Sequence, residues 1–488
     1  MRRSDKFVRR LFNRALFAAL AVPLACAALA AGLSAIPASA AGVSSGRPPV
    51  TPLGVLRQLA GTSGCLADRS TGHHGCSPVR ALRGPGPFLG SEAIAVSRDG
   101  KNVYVASSAS NAIAVFRRDP ATGKLSQASG GAGCIAAAGA NGCASAVGLA
   151  GPNSVAVSAD GRNVYATSLN TNSIAIFQRD ASTGALSQAK DGTGCVAAVA
   201  SPGCRAARAL RGPDVVAVSP NGRNVYVGAF KGSAVAVFAR SSSTGALSQP
   251  PGKGGCIAMG GAGGCATGIA LGRPEGLVVS GDGKNVYVAA PGNSALDVLA
   301  RNQSTGALSQ AMDGSGCFVN TPLTGCTTGR QLGGADAVTI SSDDKSVYVV
   351  SVLTNSVANF ARTTSTGQLA QPAGTPGCAI YVLAVASTLG RTLQAPEGVA
   401  ASPDGASVYT ASFQSGAIDV FDRTASTSGL LEKPRRPGCI VSHPKPDCSR
   451  GRALLGLSSV VVSPDGRNLY ATAFASNAVD VFKRQTTR

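Results

Sequence analysis

Short runs in which apolar residues alternate with small or polar residues recur along the chain from residue 91 onward. The first unit has such runs at residues 93–97, 102–106, 112–116 and 124–127. Turn-forming residues separate them, among them Asp99-Gly100 and Thr122-Gly123. Alternation with a period of two residues between turns predicts four β-strands in this unit. No segment has a convincing helical period, so an all-β fold is expected.

The unit repeats without insertion, since Tyr104 and Tyr165 lie 61 residues apart and the interval then recurs to the C-terminus. Three residue types keep their place in all seven copies. They are Tyr104, 165, 226, 287, 348, 409 and 470; Ser97, 158, 219, 280, 341, 402 and 463; and Arg118, 179, 240, 301, 362, 423 and 484. A residue present in every copy is expected to be structural. It would pack between units or pair with a neighbouring carbonyl or carboxylate.

Seven four-stranded units predict a seven-bladed β-propeller. The chain of 488 residues is too long for one ordinary core. The copy that begins near residue 457 has only three strands, and residues 54–65 match residues 184–195 in length and spacing. An N-terminal strand therefore completes the C-terminal blade, which favours a closed ring over a linear solenoid. We expect one domain over residues 53–488, with repeats starting near 91, 152, 213, 274, 335, 396 and 457.

The repeat motif resembles that of a known family. Residues 463–470 read Ser-Pro-Asp-Gly-Arg-Asn-Leu-Tyr, residues 219–226 carry Asn221 in place of the Asp, and a Val-Phe strand and Thr-Gly-Ala-Leu follow in the repeat. This pattern is similar to lactonase-type seven-bladed propellers, including 6-phosphogluconolactonase-like and YVTN-repeat proteins. The resemblance covers nearly all of residues 53–488. It is specific for the fold, and it implies lactone hydrolysis only weakly because propellers host many functions.

The N-terminus has the features of a secretory signal peptide. Basic residues precede an apolar stretch from Ala15 to about Ile36, and Ala38-Ser39-Ala40 provides a cleavage site. We expect a signal peptide at 1–40, a linker at 41–52 and a secreted or cell-envelope, extracytoplasmic protein. A retained membrane anchor is the alternative. Arg9-Arg10 also resembles a twin-arginine signal, although ordinary secretion is favoured.

The formal net charge of +20 could suit anionic partners. However, the chain has no run of five basic residues, so nucleic acid is not expected as a partner. No membrane association is expected after cleavage of the signal. We expect a monomer.

The cysteines outside the signal form regularly spaced pairs. They are Cys65-Cys76, Cys134-Cys143, Cys195-Cys204, Cys256-Cys265, Cys317-Cys326 and Cys439-Cys448. Short, even spacing behind a signal peptide predicts local disulfides. Zinc binding is the alternative, but C-x-x-C motifs are absent and histidines are few. Cys378 is predicted to be unpaired because Ser387 occupies its partner's position.

The entrance to the first strand of each blade should lie at the mouth of the central channel. The residues at this position are Glu92, Asn153, Asp214, Glu275, Asp336, Glu397 and Ser458. Converging carboxylates favour a bound cation or raised pKa values. The family resemblance implies calcium as a possible cofactor, held by Glu92, Asp214, Glu275, Asp336 and Glu397, where it would polarise a lactone carbonyl. The structural alternative is that these acids cap strand starts or are neutralised by Arg80, Arg208, Arg330, Arg391 and Arg452.

Histidine is scarce and lies away from the predicted channel. His73, His74 and His443 all fall inside cysteine loops, which leaves no histidine base for a metal-independent lactonase. The leading hypothesis is therefore a binding or interaction scaffold. It would hold an unidentified small molecule or protein on its loop face and central channel. The alternative is a lactonase-type hydrolase acting on a sugar lactone or ester, with no assigned catalytic residue. Cys378 and Asp344, which replaces a turn glycine, break the symmetry.

Overall fold

The computed structural model describes residues 53–72, 75–86, 92–374, 377–381, 390–434 and 436–486. The expected signal peptide, the linker, His73 and His74 lie outside these residues. Backbone contacts divide the chain into Met1–Gly46 and Arg47–Arg488, and the fold below is that of the second unit. No helix in the described ranges is long and apolar enough to cross a membrane.

The inner part of each blade is an antiparallel sheet of three strands, hydrogen-bonded in chain order. The innermost strands are Ile94–Val96, Pro152–Val157, Pro213–Val218, Gly276–Val279, Ala335–Ile340, Pro396–Ala401 and Leu457–Val462. The second strands are Asn102–Ser107, Asn163–Ser168, Asn224–Ala229, Asn285–Ala290, Ser346–Ser351, Ser407–Ser412 and Asn468–Ala473. The third strands are Ala112–Arg118, Ser173–Arg179, Ala234–Arg240, Ala295–Arg301, Ser356–Arg362, Ala417–Thr424 and Ala478–Arg484. The blades are numbered 1 to 7 in this order.

The predicted fourth strand is divided into two pieces, which pair with opposite ends of the third strand. The first pieces are Leu125–Ser126, Leu186–Ser187, Leu247–Ser248, Leu308–Gln310, Leu369–Ala370, Gly429–Glu432 and Leu56–Gln58. The second pieces are Cys134–Ala137, Cys195–Ala197, Cys256–Met259, Gly314–Val319, Cys378–Ile380, Cys439–Val441 and Cys65–Asp68. Among the described residues, a parallel strand follows in six blades, at Ala144–Ala146, Arg205–Ala206, Ala266–Gly268, Cys326–Thr328, Ser449–Arg450 and Ser77–Val79.

Short 3₁₀ turns occur at strand ends, at Gly61–Gly64, Ser108–Ser110, Gly130–Gly133, Ala140–Gly142, Phe230–Gly232, Gly252–Gly255, Ala262–Gly264 and Arg436–Gly438. The seven-bladed fold is confirmed.

The closure of the ring by the N-terminal segment is also confirmed. Leu56–Gln58 and Cys65–Asp68 both pair antiparallel with Ala478–Arg484, the last strand of the chain. The innermost strands of neighbouring blades contact each other around the centre, and Leu457–Val462 of blade 7 contacts Ile94–Val96 of blade 1. No described blade is left with an unmatched face, which is how a propeller avoids long exposed sheet edges.

The arginine and the tyrosine that recur in every copy join neighbouring blades. Arg118 of blade 1 donates from Nε to Tyr470 Oη of blade 7 at 2.7 Å and from Nη2 to Asp465 at 2.8 Å. Tyr470 Oη in turn donates to the carbonyl oxygen of Gly123 in blade 1 at 2.9 Å. Equivalent arginine–tyrosine contacts occur at Arg179, 240, 301, 362, 423 and 484. The arginine and tyrosine of the repeat are thus structural, as predicted.

Asp344 is one of the two breaks in symmetry identified in the sequence. It has a φ of 58° in the turn where other copies carry glycine. Its carboxylate accepts hydrogen bonds from the backbone N–H groups of Gly281 and Asp282 in blade 4, both at 2.7 Å. The substitution therefore adds a contact between blades 4 and 5, and its role is structural.

All six predicted disulfides are present: Cys65–Cys76, Cys134–Cys143, Cys195–Cys204, Cys256–Cys265, Cys317–Cys326 and Cys439–Cys448. In blade 1 the bond joins the start of Cys134–Ala137 to the residue before its parallel neighbour, Ala144–Ala146. Six such bonds are typical of proteins that fold outside the cytoplasm.

The prediction that Cys378 is unpaired is wrong. Cys378 is disulfide-bonded, and its partner is not among the described residues. The sequence argument failed because it sought a partner only within the same loop, where the other six bonds form.

Removing the Cys134–Cys143 bond by a double change to alanine is expected to lower the free energy of unfolding by about 2–3 kcal/mol. The bond joins cysteines nine residues apart, and it stabilises the fold by lowering the conformational entropy of the unfolded chain. Denaturant unfolding of the double variant checks this value. Ser145→Ala, at an exposed position of the strand Ala144–Ala146 beside the bond, is the matched control and should be neutral. An unchanged midpoint in the double variant would contradict the expected contribution.

Candidate functional site

The seven residues predicted at the channel mouth lie at or just before the innermost strands. The strands approach one another closely at this level. A Cβ at Gly276 would lie 2.6 Å from the carbonyl oxygen of Asp336 in the next blade, so only glycine fits there. Asp214, Glu275, Asp336 and Glu397 are all less than 5% exposed, whereas Glu92 is partly exposed. The ring centre therefore buries four consecutive acids, one from each of blades 3 to 6.

These four residues, Asp214, Glu275, Asp336 and Glu397, are called the acidic arc. At one end, Asn153 Nδ2 of blade 2 donates to Asp214 Oδ1 at 2.5 Å. Further along, the buried carboxyl oxygens of Glu275 and Asp336 have no hydrogen-bonding partner among the described residues except each other. Buried polar atoms of this kind are rare in proteins and usually mark a site for water, an ion or a ligand.

Burial and mutual repulsion raise the pKa values along the arc. Burial raises the pKa of Asp214, and the neighbouring Glu275 raises it further. Burial also raises the pKa of Glu275, with a further contribution from Asp336. Asp336 is raised by burial and by the charges of Glu397 and Asp214. Like charges held out of water repel one another, so the arc resists losing all of its protons, and a carboxyl that keeps its proton can both donate and accept hydrogen bonds.

Glu92 belongs to the same ring position but is not part of the arc. Burial alone raises its pKa to about 8, without a contribution from another acid. Ser458 stands between Glu92 and Glu397 around the ring, and its hydroxyl lies 3.0 Å from Thr472 Oγ1. The structure therefore brings four of the five predicted carboxylates into one row and leaves the fifth apart.

The arginines expected to neutralise these acids are used elsewhere. Arg80 donates to the carbonyl oxygens of Ala128 and Gly130 in the disulfide loop of the next blade, at 3.1 and 3.0 Å. Arg208, Arg330 and Arg452 make equivalent contacts with loop carbonyls, and Arg391 also pairs with Glu432. The proposed pairing with the mouth acids is therefore wrong. The basic side chain near the arc is Arg273, whose Nη2 lies 3.7 Å from Glu275 Oε1.

The carboxyl oxygens of the acidic arc are the type of ligand that calcium prefers, but their arrangement does not fit a calcium site. Calcium needs six to eight oxygens around one point. Within the described ranges, no three His, Cys, Asp or Glu side chains are grouped closely enough to hold a metal ion. The arc is a row along the ring, and the calcium-like arrangement expected from the resemblance is not formed by these side chains.

Three further buried acids were not identified from the sequence. Asp297, Asp419 and Asp480 occupy one position of the third strand, where the other blades carry Ala114, Ala175, Ala236 and Ala358. Burial raises the pKa of Asp297 to about 7, and burial and Glu432 raise that of Asp419 to about 7. The alanine-to-aspartate change within the repeat was the signal that could have revealed them. Gln310 Nε2 donates to Asp297 at 2.8 Å, and Gln58 Nε2 to Asp480 at 3.0 Å, so these two acids support outer strands.

A family model described as lactonase, 7-bladed beta-propeller, matches residues 85–204 and 136–253. No curated protein sequence matches the chain. A candidate 6-phosphogluconolactonase from Bacteroides fragilis is 17% identical with a TM-score of 0.50, over 71% of this chain and 83% of that one. A periplasmic gluconolactonase from Pseudomonas aeruginosa is 16% identical with a TM-score of 0.49, over 82% and 96%. Hydrazine synthase from Kuenenia stuttgartiensis is 17% identical with a TM-score of 0.49, over 82% and 98%.

Proposed function

Because the chain belongs to the lactonase-type family of seven-bladed β-propellers, we propose that it is an extracytoplasmic binding protein for a small, hydroxyl-rich, uncharged molecule. The molecule binds at the centre of the ring. The observation that carries this proposal is the acidic arc, in which the buried oxygens of Glu275 and Asp336 form no hydrogen bond with any other described residue. A secreted location is supported by the six disulfides and by the signal-like N-terminus.

The protonation of the arc selects the kind of ligand. Raised pKa values leave carboxyl groups that donate one hydrogen bond and accept others, as sugar-like hydroxyl and carbonyl groups require. A simple cation would need ionised carboxylates gathered around one point. An anion would be repelled by any carboxylate that remained charged. An uncharged polyol, aldose or lactone therefore matches the arc best.

The ligand test uses isothermal titration with glucose, gluconate and glucono-δ-lactone. We expect at least one uncharged member of this set to bind and gluconate to bind at least tenfold more weakly. Asp336→Asn is expected to change the affinity because it alters the hydrogen-bonding pattern of the arc. Asp297→Ala is the matched control, since it also removes a buried acid of raised pKa but lies on a third strand. Failure of every uncharged ligand to bind, or equal effects of both variants, would count against the proposal.

A hydrolase is the second candidate, and the hydrogen bond between the carboxyl groups of Glu275 and Asp336 favours it. Two neighbouring carboxyls that share a proton can supply one acid and one base. With glucono-δ-lactone, such an enzyme would open the ring faster than buffer alone, and Glu275→Gln would abolish the excess rate. The binding proposal instead expects the background rate with the wild-type protein, measured with and without EDTA.

A further inference from the structure

A groove of about 1120 Å³ lies at the junction of blades 6 and 7, on the side where the N-terminal segment closes the ring. The strand Leu56–Gln58 forms one wall. The disulfide loop of blade 6 and residues 449–455 form the rest. Outer strands and loops line the groove, and none of its lining residues lies on an innermost strand. The acidic arc lies at the innermost strands, so the groove and the arc are separate sites.

The lining combines an apolar floor with basic walls. Ile440 and Leu454 are buried side chains that form part of the floor. The basic residues that line the groove are Arg57, Arg436, His443, Arg450 and Arg452. No Asp or Glu is among the described residues that line it. Asp480 lies behind Gln58, buried, and burial raises its pKa well above the ordinary value. The groove is therefore cationic with an apolar base.

Three of these guanidinium groups are available to a ligand. Arg452 already donates to the carbonyl oxygens of Leu59 and Gly61, at 3.1 and 2.6 Å. The side chains of Arg57, Arg436 and Arg450 are exposed and make no hydrogen bond or ion pair with another described residue. Arginine recognises planar carboxylates and phosphates through paired N–H donors, so free guanidinium groups around a cavity suit such ligands.

The repeat provides an internal comparison, because the sequence contains six other copies of each of these two positions. The positions equivalent to Arg57 carry Ser126, Ser187, Ser248, Ser309, Ala370 and Leu431. The positions equivalent to Arg450 carry Pro78, Ser145, Ala206, Thr267, Thr328 and Leu389. None is basic. A residue needed only for folding would recur around the ring, as Tyr104 and Arg118 do. The basic pair Arg57 and Arg450 is confined to the junction that holds the groove.

We propose that this groove binds an amphiphilic organic anion, in which a carboxylate or a phosphate is attached to an apolar body. The anionic head pairs with Arg57 and Arg450, and the apolar body lies against Leu455, which is 45% exposed, and the half-buried Ala453. Since Arg57 belongs to the N-terminal strand and Arg450 to blade 6, the ligand also bridges two blades and stabilises the closed ring. This site is independent of the acidic arc and of the activity assigned to it.

The test measures binding of four probes by isothermal titration and by the shift in thermal midpoint. Octanoate and octyl phosphate carry both parts of the ligand, octanol lacks the charge, and inorganic phosphate lacks the apolar body. We expect the two amphiphilic anions to bind at least tenfold more tightly than octanol or inorganic phosphate. The ratio between octanoate and octyl phosphate identifies the preferred head group. Their binding should raise the thermal midpoint, because a ligand that binds only the folded state stabilises it.

Arg57→Ser combined with Arg450→Ser gives this junction the residues found at other junctions, Ser126 and Ser145 in blade 1, so the frame should fold normally. It is expected to weaken binding of the amphiphilic anions at least tenfold. Lys253→Ser combined with Lys284→Ser removes the same charge from exposed positions outside the groove and should leave binding unchanged. Equal weakening by both double variants would show that binding depends on the net charge of the protein and not on the groove arginines, and this would overturn the proposal. So would the absence of binding by both amphiphilic anions to the wild-type protein.

Discussion

Replacing Arg118 with methionine is expected to lower the free energy of unfolding by about 3 kcal/mol. The change removes the guanidinium N–H groups that donate hydrogen bonds from blade 1 to Tyr470, Asp465 and Asn468 of blade 7. It also leaves the carbonyl oxygen of Gly100 without its 3.0 Å partner. Breaking a buried ion pair from one side typically costs about 3–5 kcal/mol, and the lower value applies because the Asp465 side chain is 32% exposed.

The control for this change is the preceding residue. Arg117 lies on the same strand, points to solvent and is replaced by Gln178, Ala239 and Ala300 in other blades. Arg117→Met should change the free energy of unfolding by less than about 0.5 kcal/mol, as exposed substitutions usually do. Denaturant unfolding followed by circular dichroism compares the two variants. Similar losses at both positions would show that charge at the junction matters and that the buried contacts do not.

The protein is expected to be most stable near pH 4–5 and to lose stability between pH 5 and 8. Burial raises the folded-state pKa of Glu92 to about 8 and that of Asp297 to about 7. A group with a raised folded pKa stabilises the protein fully below its unfolded pKa, and this contribution is lost as the pH rises through the folded value. A pKa raised from 3.8 to about 7 corresponds to about 4 kcal/mol for one residue, so the acids together produce a large slope.

The aspartates that pair with an arginine of the neighbouring blade set the lower pH limit of the range in which the protein is most stable. Burial raises the pKa of Asp465, but hydrogen bonds from Ser463 and Arg118 outweigh it and lower the value overall. Five further acids behave in the same way: Asp99, Asp160, Asp282, Asp343 and Asp404. Because their folded pKa values are depressed, their contribution is present above about pH 4 and is lost as the pH falls.

Thermal midpoints measured from pH 3 to pH 9 at constant ionic strength check this profile. Asp297→Ala should flatten the decline between pH 4 and 7, and four other blades already carry alanine at this position. Asp119→Asn is the control. Asp119 is exposed and its pKa is lowered by hydrogen bonds from Thr122 and Ala121, so the slope above pH 5 should not change. A midpoint that rises from pH 5 to 8 would contradict the expected profile.

The fold was predictable because its information is local and repeated. The strand Asn102–Ser107 is read from alternation, the turn at Gly100 from composition, and ring closure from the match between residues 54–65 and 184–195. The division of the outer strand was not predicted. Leu125–Ser126 and Cys134–Ala137 pair with opposite ends of the same strand, and which part of a long connection returns to the sheet depends on tertiary contacts.

The candidate site was only partly predictable from the sequence. The repeat register places Asp214, Glu275, Asp336 and Glu397 at one level, and the structure brings them into one row. Their partners were not predictable, because the direction of a long side chain is not encoded by its position in a repeat. Arg80 was expected to reach an acid and instead reaches carbonyl oxygens of a neighbouring loop. The groove at Arg57 was missed because it joins segments from opposite ends of the chain.

The blade built from both ends of the chain has a consequence for biosynthesis. The strand Leu56–Gln58 is made before blades 1 to 6, yet its partner Ala478–Arg484 is made after them. Blades 1 to 6 can form in the order of synthesis, whereas the strand Leu56–Gln58 must wait unpaired until residues 478–484 have been made. Products that stop before residue 478 would expose this segment and the open sides of blades 1 and 6. Such incomplete chains should therefore be the preferred substrates of proteases and chaperones.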